Sequence, residues 1–494
     1  MKINFLKSIA ACAFIALSYS CSEDFLETSP SQFIKSDDVA VSGALKPEVL
    51  AGTVNGMYEM MFLTGTGGDG GHDDFGQKGY DIFSDMLCGD MALSVSTYGW
   101  YAGFTDYQST VDYTNTDNYM PWRYYYRIIR SANLVIDALG GNEAQPTGDN
   151  AYNFAQAKAM RAYAYFYLTQ FFIEEYNPNT AVLPIYTEVG QPAQPQSPTS
   201  EVFDLIIEDL SQAITMLDGF NRSNKSKINQ NVAKSLLAYT YAAMDTPASN
   251  QMARDLAIEV IQSGEFPLTT KEETTGGFND VATGSWMWGA DLTTEQGLDL
   301  ISWWGQMDVF TYSYAWAGDA KAIDSNLYAQ INANDVRKGQ FHPGSGYYNL
   351  LPINKFYHPG REIGGQRVVV TDYLYMRIDE LYLLAAETAA KIGDDTTAHT
   401  YLNALLAERF DDPADYAYVA GLSGQALVDE AYLQTRIELW GEGKSYLAMK
   451  RNQATITRGT NHYAQSGVSV AYNDDRLTWD IPQAEIQNNP NINN

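Results

Sequence analysis

Cysteine, histidine and basic residues are scarce in this chain, and each scarcity removes a class of function. Only Cys12, Cys21 and Cys88 occur. Cys12 lies within the apolar start and Cys21 directly after it, so Cys88 has no disulfide partner and no metal-site spacing. It is expected to be a small buried apolar residue. The five histidines, His72, His342, His358, His399 and His462, never fall three to five residues apart, which excludes the usual zinc spacing. There is no G-x-S-x-G elbow for a serine hydrolase. Lys and Arg number 31 against 60 Asp and Glu, a net charge of −29. Such a surface repels phosphate backbones, so nucleic acid is not an expected partner. The glycine-rich "GTGGDGGHDDFGQKG" (65–79) lacks the lysine-serine ending of a phosphate loop, and no cofactor is expected. No segment reaches the ~20 apolar residues that a membrane span requires.

Aromatic residues are plentiful instead. They make up 13% of the 494 residues, with 35 tyrosines and 9 tryptophans, while charged residues make up 18%. This composition belongs to a globular protein with a large core and unusual aromatic investment. At the start, Lys2 and Lys7 form a small positive region ahead of an apolar run, Ile9 to Leu17, too short to span a bilayer, which predicts a signal peptide over 1–20. "LSYSC" resembles a bacterial lipoprotein signal with Cys21 as the lipidated residue. The acids after it, Glu23 and Asp24, resemble the surface-export signal of Bacteroidetes lipoproteins. A polar tether over 21–40 follows, then a single domain over 41–494.

That domain is mainly helix-patterned. Trp122, Tyr126, Ile129 and Asn133 recur at four, three and four residues, one helical face. Residues 155–172 read as a continuous helix that stops before Asn177-Pro178. Thr199 and Ser200 are expected caps for a helix over 201–217. Residues 231–244 with 251–264, and 373–393 with 396–410, have the length of tetratricopeptide helix hairpins, the second turning at Gly393.

Two aromatic stretches stand apart. "STYGWYAGF" (96–104) carries Tyr98, Trp100, Tyr101 and Phe104 among small residues. "ISWWGQMDVFTYSYAW" (301–316) alternates Phe310, Tyr312, Tyr314 and Trp316 with smaller residues, which predicts a strand with one aromatic face. Trp303 and Trp304 are adjacent, so in extended chain they point opposite ways and one is expected to face solvent. Sugar rings lie flat on indole and phenol rings while their hydroxyls take hydrogen bonds from polar neighbours. The expected ligand-binding residues are therefore Trp100, Tyr101, Trp303 and Trp304, with Trp286, Tyr312 and Trp316 beside them. Catalytic candidates are weak. Asp85 with Asp90, or Asp308 with Asp319, could supply a glycosidase pair only if the spatial separation suits, and nothing marks a raised-pKa acid. Asp69, Asp73 and Asp74 offer oxygens to calcium at a spacing that fits no known loop, and a flexible surface loop is the expectation there.

The helical segments also carry a resemblance. "QAKAMRAYAYFYL" looks like the alanine-lysine, arginine-alanine, tyrosine-phenylalanine helix of the SusD/RagB family, nutrient-binding outer-membrane lipoproteins of Bacteroidetes. "RIDELYLLAAETAAKIGD", "IELWGEGKSYLAMKR" and the terminal "WDIPQAEIQNNPNINN" resemble its later motifs, and "WMWGAD" its short strand ending in a buried tryptophan, Trp288 here. The resemblance implies a mainly α, tetratricopeptide-like scaffold with long aromatic loops and a few short strands. It implies a cell-surface lipoprotein of the outer membrane that captures oligosaccharide and hands it to a SusC-like TonB-dependent transporter. Peptide binding in the same kind of uptake system is the alternative. No catalytic activity is implied, and a glycoside hydrolase is the least favoured reading.

Overall fold

The computed structural model describes residues 46–492. The signal peptide, Cys21 and the tether expected from the sequence lie outside the described residues. Within them no helix is long and apolar enough to cross a membrane.

The frame is a stack of antiparallel helices in which each packs on the next. Helix Asp149–Phe172 is buried on every side from Phe154 onward, the property of a helix enclosed by others. Helices Thr116–Ala138 and Thr199–Met216 flank it. Its alanines permit close approach, and its one fully buried guanidinium joins all three helices. Arg161 is bidentate to Asp209 at 2.7 and 2.8 Å and donates to Asn133 Oδ1 at 2.8 Å. The stack continues through the hairpin Gln230–Met244 and Pro247–Gln262, whose second helix opens on a Thr246–Ser249 capping box. It then passes to Asp379–Lys391, Asp395–Ala407 and Gln425–Glu438. Gly393, at φ 77°, makes the turn before Asp395–Ala407, and Asp394 caps that helix by accepting the N–H of Thr397.

Two boundaries differ from the sequence reading. The helix read from residue 373 begins only at Asp379. Residues Tyr373–Arg377 form a strand antiparallel to Trp286–Ala290, with Ala290 opposite Tyr373 and Trp286 opposite Arg377. Both strands are buried throughout, so periodicity could not separate a buried strand from the buried helix following it. Thr199 is not a cap: the preceding Pro198 occupies the capping position, and the Thr199 hydroxyl donates to the carbonyl of Thr180 at 3.0 Å.

The helix Pro247–Gln262 packs on Asp379–Lys391 although the stretch 263–378 lies between them in sequence. That excursion is pinned to the stack by a buried ion network. Glu438 receives Arg337 at 3.1 Å, Arg377 at 2.7 Å and Arg409 at 2.8 Å, while Arg377 also binds Glu442 and Arg409 also binds Asp379. Burial alone would push the Glu438 carboxyl up, but Arg409 and Arg377 beside it hold it well below the usual carboxylate range. One hydrophobic cluster runs from Leu50 to Trp479, and a smaller one lies among the late helices from Leu383 to Leu439. Cys88 is buried and free.

Candidate ligand-binding surface

Strand Met91–Val95 pairs antiparallel with Ala320–Ile323, Val95 facing Ala320. This brings the loop after Val95 against the loop before Ala320. One carboxylate ties them together. Asp319, fully buried, accepts the backbone N–H groups of Thr97 at 2.7 Å, Tyr98 at 2.9 Å and Trp100 at 3.2 Å. The loops approach so closely that a Cβ on Gly318 would lie 2.3 Å from the Thr97 hydroxyl. Gly318 also sits at φ 141°, open to glycine and strained for other residues.

An aromatic surface is built on this junction. Tyr98 is 58% exposed and stands edge-on to Tyr314 at 5.3 Å. Trp100 is half-buried, stacks on His72 at 5.2 Å with the planes 8° apart, and meets Tyr314 edge-on at 5.8 Å. The His72 Nδ1 and the Tyr314 hydroxyl share a hydrogen bond. Two residues either side of Tyr314, Tyr312 and Trp316 are 37% and 40% exposed, with ring centroids 5.4 Å apart. The Arg367 guanidinium lies 3.7 Å from the Tyr312 ring centre, a cation–π contact that leaves N–H donors beside an open ring. Trp316 lies over Gly364, where a Cβ would come within 3.4 Å of the indole. Segments 309–312 and 364–366 are joined by backbone bonds, among them Tyr312 N–H to the Gln366 carbonyl at 2.9 Å. The neighbouring Ile363, Val368 and Val370 are exposed too. Exposed apolar groups gathered on adjoining segments mark a surface built to touch something.

Below this surface Lys321 and Gln306 link its two loops to the segment that carries His72. Lys321 is buried, bonds to Gln306 Oε1 and the Asp319 carbonyl, and lies 4.7 Å from the Tyr101 ring. Burial pushes its ammonium down to about 7. Gln306 Nε2 in turn donates to the His72 carbonyl at 3.0 Å.

The structure corrects several expected positions. Trp303 and Trp304 are both buried, because residues Trp303–Met307 form a short helix rather than extended chain. Ser302 caps it by accepting the Gly305 N–H at 3.1 Å. The two indoles stand edge-to-face at 5.0 Å, and Trp304 Nε1 donates to the Asp372 carbonyl at 3.2 Å. Trp286 lies inside its strand with no exposed surface, and Tyr101 packs on Phe83 with 3% exposed. None of these four rings reaches solvent. The alternating 310–316 segment is not a strand either: it is a bridge at Thr311 followed by the short helix Tyr314–Ala317. Trp100, Tyr312 and Trp316 do share the surface. Trp288 is buried. The sequence placed Tyr314 beside Tyr312 and Trp316, though on a strand, and did not single out His72 or Arg367 as neighbours of these rings. Chain spacing carries no signal for contacts bridging residues 72, 100, 314 and 367: the strand pairing at Ala320 brings the loop of Trp100 to that of Tyr314, the bridge of Thr311 to Gln366 brings Arg367 to Tyr312, and Gln306 holds the His72 carbonyl.

The glycine-rich loop 65–79 is not a loose surface loop in its second half, where Asp73, Asp74 and Phe75 are buried. Asp74 accepts the N–H groups of Gly67 at 2.8 Å and Asp69 at 3.2 Å. Burial, with the Asp117 charge adding to it, pushes Asp73 up to about 8. Among the described residues no group of three His, Cys, Asp or Glu side chains could hold a metal ion. The carboxylate pairs are engaged in holding the fold. Asp85 accepts the Gly443 N–H, Asp90 is paired with Arg436 at 2.6 Å, and Asp308 accepts Phe310 and His358 N–H groups and the Thr311 hydroxyl.

A family model described as SusD-like, starch-binding associating with outer membrane, matches residues 71–242. One described as the SusD family matches residues 302–494. A curated SusD-like protein of Bacteroides ovatus is 24% identical over 284 residues, 55% of this chain and 47% of that protein. The match thus spans about half the length of the curated relative. Among solved structures, a SusD-like carbohydrate binding protein from Bacteroides vulgatus superposes with a TM-score of 0.73 at 23% identity, over 93% of this chain and 98% of the other. A SusD superfamily protein from Bacteroides thetaiotaomicron gives 0.72 at 23% identity, over 93% and 99%. A structure described as with xylogluco-oligosaccharide gives 0.63 at 17% identity, over 90% and 98%.

Proposed function

We propose that this chain, which belongs to the SusD family, binds oligosaccharide on the aromatic surface formed by Tyr98, Trp100, Tyr312 and Trp316 and passes it to a TonB-dependent outer-membrane transporter. The observation that carries this reading is the exposure of Tyr312 and Trp316, 5.4 Å apart on a rigid junction with Arg367 beside them. Flat exposed rings next to hydrogen-bond donors suit the apolar face and the hydroxyl edge of a sugar. The relative solved with a xylogluco-oligosaccharide supports the ligand class.

The residues after 40 act as one binding unit, held at the cell surface by a lipid on Cys21. No catalytic step is part of this reading, since the carboxylate pairs considered above are engaged with backbone N–H groups or a guanidinium. The experiment is an affinity screen of the purified protein against neutral oligosaccharides and peptide mixtures, repeated with Trp316→Ala. Glycan binding that weakens about tenfold in the variant supports the reading. Binding to peptides alone, or to glycans with no response to the variant, overturns it.

A further inference from the structure

A second cleft, of about 460 Å³, lies along helix Thr116–Ala138. Three arginines line it, Arg123, Arg127 and Arg130, at four- and three-residue spacing along the helix and so on one face. In a chain of net charge −29, none of the three is within 4 Å of a carboxylate among the described residues. Arg123 and Arg127 converge on the same acceptor, the Thr66 carbonyl, at 2.9 and 2.7 Å. Two guanidinium groups sharing one neutral oxygen repel each other and keep most of their N–H donors unused. Arg130 is exposed and makes no hydrogen bond within the described residues. The cleft also holds two carboxylates, Glu188 and Glu485. Glu485 is occupied on both oxygens, by Trp122 Nε1 and Asn489 Nδ2. Aromatic rings, Tyr126 and Tyr186 among them, form the wall.

We propose that this cleft is a second ligand site, for an oligosaccharide bearing carboxylates, that is, one containing uronic acid. Guanidinium forks match carboxylates in a bidentate fashion, and half-buried tyrosines supply the apolar wall a sugar ring needs. The protein's overall negative charge does not forbid this, because at physiological salt charges beyond about 8 Å are largely screened and the three local arginines dominate. The cleft shares no lining residue with the aromatic surface at Trp316.

The test is a titration of the full chain with galacturonate oligomers of three to six residues and with the same oligomers fully methyl-esterified, which keep the shape and lose the charge. Expected is at least tenfold tighter binding of the acid form, weakening with added salt. Arg127→Gln with Arg130→Gln should remove that preference without lowering the melting temperature, and Trp316→Ala should leave it intact. Equal affinity for acid and ester overturns the proposal, as does full affinity in the arginine variant. Competition by inorganic sulfate at the concentration of the trimer overturns the sugar part of the assignment. Loss of acid binding in Trp316→Ala overturns the second site and leaves the first.

Discussion

Asp319 holds the N–H of Trp100 at 3.2 Å, and through Thr97 and Tyr98 the same carboxylate fixes the whole loop that presents the aromatic surface. The loop is therefore organised from below by a buried carboxylate as well as by the packing of Tyr98 and Trp100 on Tyr314. Replacing Asp319 by Ala leaves three backbone donors without their acceptor, at a cost of about 1–3 kcal/mol. Oligosaccharide affinity should fall about tenfold or more although no ring is changed. Asp319→Asn, which keeps one acceptor oxygen, should recover part of both. Melting curves and a binding isotherm on the two variants check this.

The two tryptophan classes should separate cleanly. Trp316→Ala removes an exposed ring and should cost little stability while reducing affinity about tenfold. Trp303→Ala or Trp304→Ala empties a packed interior site and should cost about 3–5 kcal/mol. Denaturant unfolding of all three variants, alongside binding, reads the difference. Equal stability across the set would contradict the assignment of the buried pair.

How much of this was legible beforehand depends on the scale of the pattern. The long helices were, because a run such as 155–172 repeats its alanines and tyrosines over many turns, although the helix begins six residues earlier, at Asp149. The aromatic surface was legible only as a composition: Trp100, Tyr312 and Trp316 lie on it, while Tyr101, Trp286, Trp303 and Trp304 do not. Only in extended chain do Trp303 and Trp304 point opposite ways. Ser302, an ordinary helix cap, opens a short helix there, and in a helix both rings find interior partners, Phe356 and the Asp372 carbonyl. The apparent two-residue period over 310–316 arose the same way, from a bridge and a short helix that happen to alternate large and small residues. Short segments are settled by tertiary contacts that local patterns do not encode.

Glu438 is the centre of the network that pins residues 337 and 377 to the late helices. Glu438→Gln leaves Arg337, Arg377 and Arg409 together in the interior with too little negative charge, and should destabilise the protein by about 3–5 kcal/mol. The loss should show as a lowered denaturant midpoint. An unchanged midpoint would mean that Asp335, Asp379 and Glu442 suffice.

Asp73 gives a pH signature. Its folded carboxyl is raised from the ordinary 3.8 to about 8, and one of its oxygens is buried without a partner. Below about 4 the group is protonated in both folded and unfolded chains. Between about 4 and 8 the unfolded chain ionises first, so the contribution of this group to stability falls as pH rises. Asp73→Asn removes that titration. The variant should match the parent near pH 4, exceed it at pH 8, and show a flatter melting temperature between. Parallel melting profiles over this range would contradict the raised value.

The stretch 263–378 leaves the stack at one helix and re-enters at the helix packed directly against it, so its two ends are neighbours whatever lies between. Closing such a loop costs only slowly more as it lengthens. The exposed rings Tyr312 and Trp316 lie within this insertion, while its buried Arg337 and Arg377 tie it back to Glu438 of the stack. The insertion thus carries two separate sets of side chains, one facing solvent and one closing the interior, and a change confined to the first leaves the ion network of the second in place.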